Sequence, residues 1–152
     1  SLSVLEPKVK ACFEAGAIAT GAILDVQPLG PPYSEFVHDH DLIGKYRKNA
    51  ESLGRVFSPP STKVAGSTDM ANVSLLMPTI HPMLGLDSGT AVNHQPEFAA
   101  YCRTPDADRA AVEGALAMAL TAVDAASDDE TRTRLLGHET SYSEIGEYPW
   151  SF

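Results

Sequence analysis

The stretch from Thr104 to Ala126 constrains the fold more than any other part of the chain. Thr104 can cap a helix whose first position is Pro105, and Asp106 and Asp108 then sit at the positive end of the helix dipole. Val112, Leu116, Ala119, Leu120 and Val123 recur at i, i+4, i+7, i+8 and i+11. This spacing predicts one long Ala-rich helix with that face in a core. Such a helix draws most of its stability from packing, so the rest of the chain must supply a surface for it.

Three further helices are expected. Ser3 and Glu6 form a capping box, Pro7 lies in the first turn, and Val9, Cys12, Phe13 and Ala17 keep helical spacing up to a glycine stop at Gly21. The first helix is thus placed at Val4 to Thr20. A second starts at Asp39 or Asp41, presents Leu42, Tyr46, Ala50 and Leu53 inward, and ends at Gly54. Ser127 and Glu130 make another capping box for a short helix that stops before Gly137.

Between the helices the period changes. Ala22–Val26 reads as a short strand broken up by Pro28, Gly30, Pro31 and Pro32. The compact apolar runs Val73–Met77 and Ile80–Leu86 read as buried strands, with Pro82 demoting part of the second to an edge or bulge. Helices alternating with strand-like runs predict an α/β architecture, a layered sheet with flanking helices.

Charge narrows the partners. The 152 residues carry a net charge of −9, and the imbalance is confined to one side: residues 1–63 hold 7 basic and 7 acidic side chains, residues 64–152 hold 4 and 13. A nucleic-acid binder needs clustered Lys and Arg to neutralise phosphates, so that class is excluded. No stretch is expected to reach the roughly 18–20 apolar residues of a membrane helix, and no secretory leader opens the sequence. Cys12 and Cys102 have no CxxC partner and are read as reduced, buried thiols of a cytoplasmic protein.

Two groups of residues carry the chemistry. His38-Asp39-His40-Asp41 offers metal-ligand types, yet successive helical residues point about 100° apart, so four in a row cannot converge on one ion. The tetrad reads as a helix start. In the second group, Gly66-Ser67-Thr68-Asp69 precedes the first buried run, Ile80-His81-Pro82 follows it, and Asn93-His94 comes after a glycine-containing loop. Asp69, His81 and His94 are thereby placed on loops beside two neighbouring strands, where open α/β sheets build their sites.

These segments also carry a resemblance. Gly66-Ser67-Thr68-Asp69-Met70-Ala71-Asn72-Val73-Ser74, then Pro78-Thr79-Ile80-His81-Pro82, then Asn93-His94, resembles the C-terminal part of the zinc amidohydrolases of the aminoacylase-like metallopeptidase family, metallopeptidase family twenty. Cys12–Gly21 with the following strand and Tyr33-Ser34-Glu35 resembles the last helix and strand of that family's lid, or dimerisation, domain. The resemblance implies three parts: residues 1–34 as the end of the lid, 35–137 as the C-terminal part of a zinc-exopeptidase-like catalytic domain, and 138–152 as a tail. It implies hydrolysis of the amide bond of N-acyl amino acids or small peptides, two divalent ions, zinc foremost, and a homodimer or companion chain.

By the same resemblance His94 matches the histidine that closes the two-metal site, and Asp69 the acidic residue beside it. Ser67, Thr68, His81 and Asn93 match the substrate side. Most of the family has glutamate where this chain has Thr68, a departure shared with the branch of aminobenzoyl-glutamate utilisation proteins and dipeptidases. The family's other ligands and its Glu-Glu pair, which contains the general base, have no counterpart here, since the sequence holds neither Glu-Glu nor His-x-Asp. A hydrolytic zinc site needs several protein ligands and a base, so the isolated chain is expected to be inactive. The rival expectation is a non-catalytic α/β interaction module that works by binding, with Tyr142, Tyr148, Trp150 and Phe152 as anchors for a partner.

Overall fold

The computed structural model describes residues 2–138 except Pro28, Pro31 and residues 58–65; the aromatic tail residues named above lie outside the described residues. The chain divides into two compact units, residues 1–32 and 33–152.

The first unit is one helix and an extended segment. Helix α1 (Leu2–Thr20) closes where a glycine stop was expected: Gly21 takes φ 68°, its amide donates to the Ile18 carbonyl at 3.4 Å, and the Ala22 amide donates to the Ala17 carbonyl at 3.0 Å. That paired pattern satisfies the last carbonyls of the helix and needs a residue free to adopt a left-handed backbone. At the other end the helix begins at Leu2, so Ser3 lies inside the first turn and is not the cap. Within this unit α1 has no partner element, and Val4, Leu5, Phe13 and Ile18 stay exposed.

The second unit carries α2 (His40–Ser52), α3 (Met70–Ser74), α4 (Pro96–Tyr101), α5 (Pro105–Ser127) and α6 (Asp129–Leu136). Its centre is the packing of α2 on α5. Tyr46 and Ala50 meet Ala117, with Leu53, Phe57 and Ile80 closing around them. Asn49 Nδ2 adds hydrogen bonds to Asp124 Oδ2 at 2.7 Å and Thr121 Oγ1 at 3.4 Å across the same seam.

The layered sheet is not formed. Among the described residues there is no strand, and helix takes up more than half of them. A strand exists through ladder bonds to a neighbour, and none of the three expected strands has one. Residues 22–27 and 80–86 form no regular element and no ladder. The run at 73–77 opens as the end of α3 and closes in turns, with the Leu76 and Met77 amides both donating to the Val73 carbonyl at 2.9 and 3.1 Å.

Helix α5 spans 23 residues with the expected Thr104 cap, whose Oγ1 accepts from the Ala107 amide at 3.3 Å. Its buried face is another one than the apolar spacing indicated. Ala110, Gly114, Ala117, Thr121 and Ala125 are buried, whereas Val112, Leu116 and Val123 are exposed. Small side chains let a neighbour come close: a Cβ on Gly114 would overlap Leu84 Cδ1. By length and composition α5 is also apolar enough to cross a membrane, which corrects the expectation that no stretch would be. Here its small-residue face is the one packed on α2.

Two smaller expectations are corrected as well. The cap of α6 is Asp128, accepting from the Thr131 amide at 3.0 Å, because Ser127 is still the last residue of α5. The cysteines are free, as expected, but both are exposed.

Candidate functional site

The His38–Asp41 tetrad is a helix start. Asp39 Oδ1 accepts from the Leu42 amide at 3.0 Å, the N-cap geometry of α2. Its carboxylates also tie α2 to α6. Arg134 bonds Asp39 Oδ2 at 2.6 Å and Asp41 Oδ2 at 3.1 Å, Thr131 Oγ1 donates to Asp41 at 2.8 Å, and Lys45 reaches Asp128 at 3.0 Å. Burial pushes the Asp39 carboxyl up, but the hydrogen bonds from Arg134 and the Leu42 amide outweigh it and hold the group below its usual range. The Thr131 amide, followed by Lys45, holds Asp128 down to about 2.

The loop that opens α3 is held from behind. Ser34 and Val37 donate their amides to Asn72 Oδ1 at 2.8 Å and Ser74 Oγ at 2.9 Å, and the Asp39 amide donates to the Thr79 carbonyl at 3.1 Å. Against that backing, Thr68 is half-buried while Ser67 and Asp69 are exposed. Thr68 Oγ1 accepts from the Met70 amide at 3.3 Å and donates to Asp69 Oδ1 at 3.4 Å. Asp69 precedes α3 without capping it through its side chain, which leaves that carboxylate at the surface.

Asn93 and His94 form an exposed turn ahead of α4. His94 is the one non-glycine among the described residues with positive φ, at 65°. A side chain in that region costs of order 1 kcal/mol or more and is found where structure or function holds it. No hydrogen bond or ion pair joins Asp69, His81 and His94 among the described residues, and no group of three or more His, Cys, Asp and Glu there could hold a metal. One imidazole does not make a metal site, so the described part of this chain does not fit a resident ion by itself.

His81 lies beside α2. Its ring stacks on Phe36 with centroids 6.3 Å apart, and the Phe36 centroid is 4.4 Å from that of His38. These imidazoles line a recess of about 160 Å3 together with Arg47, Tyr46, Phe57 and Ile80. The Arg47 guanidinium lies 4.7 Å from the centroid of the Phe57 ring. Burial pushes the Tyr46 phenol up, against a smaller opposing pull from Arg55. A larger apolar cleft of about 540 Å3 on the α2, α5 and α6 side shares Tyr46, Ile80 and Pro82 with it. Sequence reasoning singled out His81 but missed Arg47 and Phe57, since residues from α2 and from the segment after it meet only once the helix is packed.

No protein-family model matches the chain, and no solved structure matches it. Two curated proteins do. The chain is 32% identical over 126 residues to the Xaa-Arg dipeptidase of Mus musculus and, over the same length, to that of Homo sapiens. Each match covers 81% of this chain and 29% of the relative, so the chain spans less than a third of the length of these dipeptidases. The similarity supports a relationship to peptidases without choosing a branch among them.

Proposed function

We propose, from that likeness to dipeptidases, that this chain is the C-terminal part of an amidohydrolase that cleaves the amide bond of small peptides or N-acyl amino acids, with a dipeptide ending in arginine as the first substrate to try. The relationship over most of the chain is the observation that carries the reading. The reaction would depend on a divalent metal, zinc foremost, with His94 as one ligand and the remaining ligands and the base contributed from outside the described residues. The exposed His94 turn supports that role, because a side chain kept at positive φ has a cost that function can explain.

In this reading Asp69 orients the site from beside it, Ser67, Thr68, His81 and Asn93 face the substrate, and residues 1–34 belong to a lid or dimerisation domain. The chain alone would be inactive, and a second copy or a companion chain would complete the packing. The deciding experiment is made on the longer protein containing this sequence. His94→Ala is expected to lower both bound metal and dipeptide hydrolysis by at least about tenfold. Unchanged metal content and hydrolysis would remove His94 from the site and leave a non-catalytic interaction module as the better account. The absence of a three-ligand group among the described residues is what favours that second reading.

A further inference from the structure

We infer that the recess between His38, His81 and the middle of α2 is a binding site for the carboxylate of a small molecule. The inference rests on the geometry of that recess and stands whether or not the chain belongs to a hydrolase.

Three nitrogen-bearing side chains, His38, His81 and Arg47, line the recess beside the Tyr46 phenol, with no acidic residue in its wall among the described residues. Each is held in place by an aromatic neighbour. Both imidazoles pair with the Phe36 ring, and Arg47 is seated over Phe57, which itself packs on the Tyr46–Ala50–Ala117 cluster. A guanidinium on an aromatic face keeps its N–H edge free for a planar acceptor. None of the three has an ion-pair partner among the described residues. The nearest carboxylate in sequence, Asp39, is taken by Arg134 and the Leu42 amide.

Donors gathered around an apolar floor, with no carboxylate among the described residues of the wall, call for an anion. Two histidines also call to mind a cation such as zinc, but a third ligand is missing and Arg47 would repel it. Size narrows the class further. A recess of about 160 Å3 suits a carboxylate with a short acyl or side-chain stem. Ile80 and Tyr46 would cover the stem, while Arg47 and the imidazole N–H groups meet the oxygens in charge-assisted hydrogen bonds.

The test is a titration of the isotope-labelled chain, following the ring signals of His38 and His81 and the side-chain Nε–H of Arg47. N-acetylglycine is the probe and N-acetylglycinamide its uncharged counterpart. Saturable shifts of all three signals with the carboxylate alone are expected, with the response of the two imidazoles weakened about tenfold or more in Arg47→Gln and only partly restored in Arg47→Lys, which keeps the charge but loses the planar fork. The thermal midpoint of Arg47→Gln, an exposed position, serves as the control for folding. An equal response to acid and amide would reduce the recess to an apolar dimple and overturn the inference. So would a carboxylate response indifferent to Arg47→Gln, or zinc saturating both imidazoles and displacing the probe.

Discussion

Arg134 holds two carboxylates at the start of α2, and one of them, Asp39, has a side chain only 8% exposed. Removing the guanidinium leaves that carboxylate with its cap bond and no counter-charge. Arg134→Ala is therefore expected to lower stability by about 1–2 kcal/mol, read as a lower urea midpoint at unchanged slope. The same contact sets an acid limit. Asp128 is depressed in the folded chain to about 2 from an ordinary 3.8, so its contribution is complete above the ordinary value and is lost as pH falls through about 2. Between those two values the α2–α6 contact should loosen first, seen as loss of protection at the Thr131 amide. At His94 the sign is reversed. His94→Gly removes a left-handed backbone cost and adds chain entropy to the unfolded state, so stability should stay level or rise by up to about 1 kcal/mol. A clear loss of stability would assign the turn to structure instead of function.

The helix α5 shows how sequence and packing part company. Two stripes on it have helical spacing, one of large apolar residues and one of small ones, and hydrophobicity selects the first. The structure packs the second, because Ala110, Gly114 and Ala117 let α2 and Leu84 approach more closely than Val112 or Leu116 would. Gly114→Leu is expected to cost about 1–3 kcal/mol by overfilling that seam. Leu116→Gln on the exposed stripe should change stability by no more than about 0.5 kcal/mol. Equal costs at the two positions would mean that the large stripe is buried too. The Thr104 and Asp39 caps and the Gly21 stop were legible because they act on amides and carbonyls within a turn or so of themselves, whereas the Ser3 and Ser127 caps were misplaced by a shift of the helix end. Strands were not legible, since Val73–Met77 and Ile80–Leu86 carry the right side chains and lack the neighbour that a ladder requires. The site divides in the same way. His94 could be singled out from its loop, but the meeting of Arg47 and Phe57 depends on how α2 is seated.

Across the second unit, burial is thin. Its central cluster is one tyrosine and two alanines with three half-buried neighbours, while Leu75, Met77, Met83, Leu116, Met118 and Leu136 remain exposed. Apolar burial is the main favourable term in folding, so a core this small predicts marginal stability for the chain on its own. Sedimentation and unfolding measured over a range of concentrations should show self-association or a transition that sharpens as concentration rises. A cooperative transition independent of concentration would contradict this. The two exposed thiols bear on the remaining question at this scale, since Cys12 belongs to the first unit and Cys102 to the second. Each can take a fluorophore without disturbing a core, so a donor on one sulfur and an acceptor on the other would turn the separation of the units into a colour ratio. The chain thus already carries its own pair of attachment points for a molecular ruler.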